Sequence, residues 1–264
     1  VAKYNRFGFT PLIGALVALV VGLPVTAGVT QHGEDGTHIE KLDATIRQNP
    51  NDASLFLKRG KVYFHHHDYV SAIEDFNRTL KLDKHTDEAH FWLGMALGRQ
   101  GKIREGIEQL SVYIHRRPNE SRAFTKRGVR YLWLGELDNA ELDLRKAIEL
   151  DDTNAEAHDD LGVILARRGD TAKAMNHFKT TITLDPTYQK GFHNLAMTYF
   201  LVNSFESALY TVDQGLRLDP ENKNSLLLKS VILEALGRHE EARSVASHAE
   251  FLPDGNWSER LGVE

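Results

Sequence analysis

The chain predicts an all-α solenoid of tandem helix–turn–helix units, and three observations predict it. Small residues recur every 34 residues, at Gly60, Gly94, Gly128, Gly162, Ala196 and Ser230. A second small residue follows each at a fixed distance: Ala72, Gly106, Ala140, Ala174, Ala208 and Ala242. A further set of glycines (Gly101, Gly135, Gly169 and Gly237) falls between the two. A period of this length marks a two-helix brick that buries its apolar face only by stacking on copies of itself.

Counting each unit from residue 53 gives 53–86, 87–120, 121–154, 155–188, 189–222 and 223 to 252, with the first small residue at position 8. Helix A is expected over positions 2–14 and helix B over 18–31. Positions 8 and 20 are small because the helix axes cross there. Position 24 (Phe76, Leu110, Leu144, Phe178, Val212 and Ala246) faces the core. Glycine at position 15 ends helix A, since it adopts the left-handed cap at little cost. Pro118, Pro186 and Pro220 stop helix B, and Lys84 and Asp152 stand in the same place without a proline. Arg59 and Arg127 occupy position 7 in the two units that also carry an Asp at position 23, Asp75 and Asp143. Two ion pairs joining A to B are therefore expected.

The ends differ. Residues 1–30 hold Lys3 and Arg6, then an uncharged run from Phe7 to Thr30. This segment reads either as a signal peptide cleaved after Ala27 or as a retained membrane anchor; a buried core helix is the third reading. Either of the first two exports the repeats to a periplasmic location. Residues 31–52 read as an N-terminal capping half-repeat whose helix covers Thr37–Gln48, and residues 253–264, with Trp257, as a C-terminal tail.

The wording of the units, such as AEAHDDLGVILARRGDTAKAMNHFKTTITLDP in the fourth and SRAFTKRGVRYLWLGELDNAELDLRKAIELD in the third, resembles the tetratricopeptide repeat (TPR) family. The resemblance implies a right-handed α-solenoid whose A helices line a concave groove through positions 2, 5, 9, 12 and 13. On that basis the expected partner-binding groove is Leu57, Phe64, Phe91, Met95, Arg99, Val129, Trp133, Arg167, His193, Met197, Phe200 and Leu201. Aromatic residues, Met and Arg are enriched at the centres of interfaces, and Met adapts to its partner. A protein or peptide segment with apolar anchors is the expected ligand. The other reading of positions 9, 12 and 13 is packing between neighbouring A helices. Some TPR cofactors of chaperones hold a peptide's terminal carboxylate with Lys and Asn at positions 5 and 9. Here those positions are mostly apolar, so that clamp is absent.

Composition excludes several functions. The net charge of −5 provides no basic field for nucleic acid. The chain has no cysteine, which removes disulfides, thiolate metal sites, a Cys nucleophile and a lipidated Cys. No nucleophile elbow, zincin motif or phosphate loop occurs, so the chain reads as not an enzyme, without cofactors. His65, His66 and His67 suit a metal in residue type, but they span a helix end where successive side chains diverge. The expected function is a non-catalytic scaffold or adaptor that assists assembly of an envelope complex. The alternatives are a periplasmic metal-binding protein using those histidines, or a non-catalytic subunit of an enzyme complex.

Overall fold

A computed structural model describes residues 35–252, which form thirteen helices and no strand. The expected export segment (1–30) and tail (253–264) lie outside the described residues. The chain divides into two compact units, whose described residues are 35–152 and 153–252.

In the first unit α1 (Asp35–Gln48) precedes three A/B pairs. These are α2 (Ala53–His65) with α3 (Tyr69–Leu82), α4 (Asp87–Arg99) with α5 (Ile103–Arg116), and α6 (Ser121–Leu134) with α7 (Leu137–Leu150). The second unit holds α8 (Ala155–Arg167) with α9 (Thr171–Leu184), α10 (Gln189–Leu201) with α11 (Phe205–Leu218), and α12 (Lys223–Ala235) with α13 (His239–Glu250). Within each unit every helix packs on its chain neighbours, and each A helix also touches the next A helix. Helices begin one position earlier than the sequence predicts. Helix α1 starts two residues ahead of Thr37, and Ile46 packs with Leu55, Phe56 and Leu82.

The small residues at position 8 have a direct steric cause. A Cβ at Gly60 would lie 2.7 Å from a ring carbon of Phe76, and one at Gly162 would lie 2.6 Å from Phe178. The pattern is graded. Where position 24 is Phe or Leu, position 8 is Gly; where it shrinks to Val212 or Ala246, position 8 grows to Ala196 or Ser230. The two positions conserve volume between them, as dense cores require.

All four glycines at position 15 take positive φ, from 75° to 89°. The remaining units use His67 (φ 61°) and Asn203 (φ 60°) at the same place. Helix B ends at the same position with or without proline, at Leu82 and Leu150 as at Leu184 and Leu218. In the first unit Asp83 follows the helix in an extended conformation and accepts from the His85 amide at 2.9 Å and the Thr86 hydroxyl at 2.9 Å. That side-chain turn ends the helix without help from proline.

Both expected ion pairs form. Arg59 donates through Nε and Nη2 to Asp75 at 2.8 and 2.7 Å, and Arg127 does the same to Asp143 at 2.7 Å each. Each arginine also reaches the preceding B helix through Nη1, Arg59 to Asp43 at 2.6 Å and Arg127 to Ser111 at 2.9 Å. One guanidinium thus ties three helices. The Asp75 hydrogen bond raises the Arg59 pKa above its ordinary value. For Arg127, burial opposes the charge and Asp143 outweighs it, so its pKa also rises.

The fourth unit uses a different link. His158 at position 4 meets His177 at position 23, Nδ1 to Nδ1 at 3.0 Å. In the second, His90 Nδ1 meets Gln109 Oε1 at 2.8 Å between the same two positions. Units with Arg at position 7 instead place Phe56 or Phe124 at position 4, under the guanidinium.

Candidate functional site

The A helices carry the expected groove residues, but they divide them into two sets. Phe64, Phe91, Met95, Val129, His193 and Met197 are buried. Contacts between adjacent A helices account for most of this. Phe64 packs edge-on to Trp92 with ring centres 5.4 Å apart, Met95 Sδ lies 3.4 Å from Arg130 Nη2, and His193 Nδ1 shares a hydrogen bond of 3.2 Å with Ser225. Met197 belongs to the core of the second unit. Phe64, Met95 and His193 thus brace one A helix on the next, and all six present little surface to a partner. Phe200 is half-buried against the same core, its ring 5.6 Å from that of Phe205.

The accessible groove residues of each unit are fewer, and most sit at position 13. Leu201 is 40% exposed, and Arg99, Trp133 and Arg167 are half-buried at position 13, as is Leu57 at position 5. Two guanidinium groups lie over the Trp133 ring, Arg99 at 5.7 Å and buried Arg130 at 4.7 Å. Burial lowers the pKa of Arg167.

In the first unit a second group gathers on α2, α4 and α6. Lys61 Nζ and Trp92 Nε1 both donate to Glu88 Oε1 at 2.9 Å. Lys61 also lies over the Trp92 ring at 5.3 Å, and Arg122 lies over Phe91 at 4.8 Å. Burial opposes the Glu88 charge, yet Lys61 and Trp92 keep its pKa below the ordinary value.

The second unit carries a buried polar row. Lys190 Nζ lies 2.9 Å from Asp159 Oδ2 and 3.0 Å from Asp160 Oδ1, and Asn194 donates to Asp159 Oδ1 at 2.8 Å. Burial works against the Lys190 charge, but the two carboxylates hold its pKa well above the ordinary value. Burial, with Lys190 nearby, pushes the His193 imidazole down to about 4.

Position-by-position reading of single units missed both groups. The missing signal is an interval of 31 residues, from position 5 of one unit to position 2 of the next. It joins Asp159 to Lys190 and Phe91 to Arg122.

The three histidines do not converge. His65 is exposed, with its ring 5.8 Å from that of Trp92, and His67 Nδ1 shares a hydrogen bond of 2.9 Å with the Tyr69 hydroxyl. Among the described residues no group of three His, Cys, Asp or Glu side chains is placed to hold a metal ion. Among them, too, no helix is long and apolar enough to cross a membrane.

The family model described as tetratricopeptide repeat matches residues 39–87, 57–121, 91–155, 125–188 and 194–256. Human tetratricopeptide repeat protein 16 is 25% identical over 246 residues, covering 86% of this chain and 28% of that relative, so the chain spans well under half of its relative's length. The type IV pilus biogenesis factor PilW is similar in structure, with a TM-score of 0.68 and 19% identity over 75% of this chain and 92% of its own. YrrB, described as a TPR protein with an unusual peptide-binding site, has a TM-score of 0.53 and 21% identity over 71% of this chain and 97% of its own. At these identities the likeness to the two structures concerns the fold alone. Proteins with such repeats generally mediate protein–protein interactions and are generally non-catalytic. The strict period, the crossing of small residues at positions 8 and 20, and matches running from residue 39 to residue 256 place this chain in the tetratricopeptide repeat family.

Proposed function

We propose that this chain is a non-catalytic adaptor that binds a partner protein or peptide along the inner stripe of its A helices and assists assembly of an envelope complex. The observation that carries the reading is Trp133, a large aromatic left half-buried with Arg99 and Arg130 stacked on it. Aromatic and arginine side chains dominate interface energetics, and Trp133 and Arg99 keep part of their surface open to solvent while buried Arg130 backs the ring. The site in the envelope rests on the uncharged run Phe7–Thr30 with Lys3 and Arg6 before it, which suits export by cleavage or by anchoring.

The test replaces one position-13 residue in each unit, Trp133→Ala in the first and Leu201→Ala in the second, rather than Phe200, whose loss would open a core cavity. The expected outcome is loss of specific partners captured from envelope extracts at least about tenfold below wild type, with an unchanged circular dichroism spectrum. Equal recovery of the same proteins by wild type and double variant would count against the stripe.

A further inference from the structure

Position 13 carries one arginine in each unit, Arg99 on α4 and Arg167 on α8. The step of 34 residues to the next position 13 sets Arg99 over the ring of Trp133, at 5.7 Å. The same step takes Arg167 to Leu201 on α10, which offers neither a ring face nor an acceptor. Helices α8 and α10 touch one another just as α4 and α6 do. Arg167 is half-buried and makes no hydrogen bond, ion pair or ring contact among the described residues. None of its guanidinium nitrogens belongs with the buried unpaired atoms, so its fork is open to solvent. Leu201 beside it is 40% exposed, and Leu227 on the following A helix is 37% exposed.

Lys190 shows how this unit holds a cation when it supplies the counter-charge itself. Its Nζ lies 2.9 Å from Asp159 and 3.0 Å from Asp160, and the two carboxylates keep its pKa well above the ordinary value. Burial of Arg167 meets no such compensation and lowers its pKa. A guanidinium that has lost part of its water and gained no acceptor binds an incoming carboxylate at a smaller desolvation cost than a fully hydrated one.

We propose that the second unit recognises an acidic and aliphatic peptide segment, in which one Asp or Glu side chain docks its carboxylate on the open fork of Arg167 and a neighbouring large aliphatic side chain covers Leu201. The proposal deepens the adaptor reading and rests on it. One guanidinium matches one carboxylate in charge and plane, whereas a phosphate dianion calls for a second cation, and Lys190 is already engaged. A side chain fits better than a chain terminus. A terminus would press its last backbone amide onto the apolar surface of Leu201, while Asp or Glu reaches Arg167 and leaves its backbone in water. Alternate residues of an extended segment lie on one face about 7 Å apart, the scale of the step between successive position-13 side chains.

The probes are four short fluorescent peptides built on Ala and Ser. The first is blocked at both ends and carries Glu with Leu two residues later. The second has Gln for Glu, the third has Ala for Leu, and the fourth is the Gln peptide with a free carboxyl terminus. Fluorescence anisotropy reads their binding to the full chain and to Arg167→Gln, which breaks no contact among the described residues. Gln for Glu should cost at least about tenfold in affinity on the wild type and nothing on Arg167→Gln, the signature of a direct contact. Ala for Leu should cost at least about threefold on both proteins. Should Arg167→Gln fail to fold, Arg167→Lys takes its place with the same expectation, because an ammonium lacks the fork. Absence of saturable binding, an equal cost of Gln for Glu on both proteins, recovery of affinity by the free terminus, or indifference to the Leu would each overturn the proposal. Failure here, with partner capture still lost in the Trp133→Ala and Leu201→Ala double variant, would leave the adaptor reading standing.

Discussion

The two units solve one stacking problem with opposite chemistry. In residues 35–152 the polar ties run outward from A to B, through Arg59 and Arg127, each bridging two B helices. In residues 153–252 the main polar tie runs along the A helices, where half-buried Lys190 meets buried Asp159 and Asp160, and buried Asn194 donates to Asp159. Position 7 there is Leu161, Leu195 or Lys229, and Lys229 reaches only the preceding B helix, at Asp213 (2.8 Å). Buried ion pairs add little stability over apolar packing but are costly to break singly. The first unit therefore places its charges between helix layers. The second places them along its A helices, where they satisfy one another.

The sharpest way to break the contrast is to unpair one clamp. Asp143→Ala strands Arg127 with only Ser111 as its polar contact, and a loss of about 3–5 kcal/mol is expected in chemical denaturation. Arg127→Leu with Asp143→Gln copies the neighbouring repeat 87–120 of the same unit, where Leu93 and Gln109 hold these positions. That double variant should recover most of the loss, because no charge is left unpaired. A double variant as weak as Asp143→Ala alone would show that the clamp orders the stack in a way apolar residues cannot.

Acid should separate the units next. His193 is buried in the second unit with its pKa pushed down to about 4, against about 6.5 in an unfolded chain. Between those values the unfolded chain binds a proton that the folded chain refuses. The contribution of His193 is complete above about 6.5 and is lost as pH falls towards 4, by at most about 3 kcal/mol. Hydrogen exchange should show α10 losing protection before α4 over this window, and His193→Gln should flatten the response. An unchanged pH dependence in that variant would assign the acid sensitivity to another group.

Much of the architecture was legible because steric rules act within one unit. A Gly facing Phe76 or Phe178 leaves no choice of size, so the register could be read from small residues alone. The Arg–Asp clamps were legible because opposite charges recur at one interval. The His90–Gln109 and His158–His177 links were not, since neither pair announces itself by charge. The inner face was harder for a different reason. Whether Phe64 or Met95 faces a ligand depends on how closely the next A helix approaches, and that distance is set between successive repeats, not within one. Trp92 and Arg130, both on the following A helix, are what cover them. Position 13 is less covered because it lies at the end of helix A, although Arg99 still reaches the Trp133 ring of the next A helix.

The smallest expected effect compares the two units at the turn that ends helix A. His67 in the first and Asn203 in the second both sit at φ near 60°, where the other units have glycine. A side chain in this conformation crowds the following carbonyl, at about 1–2 kcal/mol, and Asn is among the few residues that tolerate it through local hydrogen bonding. Glycine removes the crowding but adds freedom to the unfolded chain, which returns part of the gain. His67→Gly should therefore stabilise the protein by about 0.5–1 kcal/mol, despite losing the hydrogen bond to the exposed Tyr69 hydroxyl. Asn203→Gly should change stability by only a few tenths of a kcal/mol, read by the same denaturation midpoints. A loss on His67→Gly would mean that the Tyr69 contact outweighs the backbone strain, giving this histidine a structural role at the turn that no other unit requires.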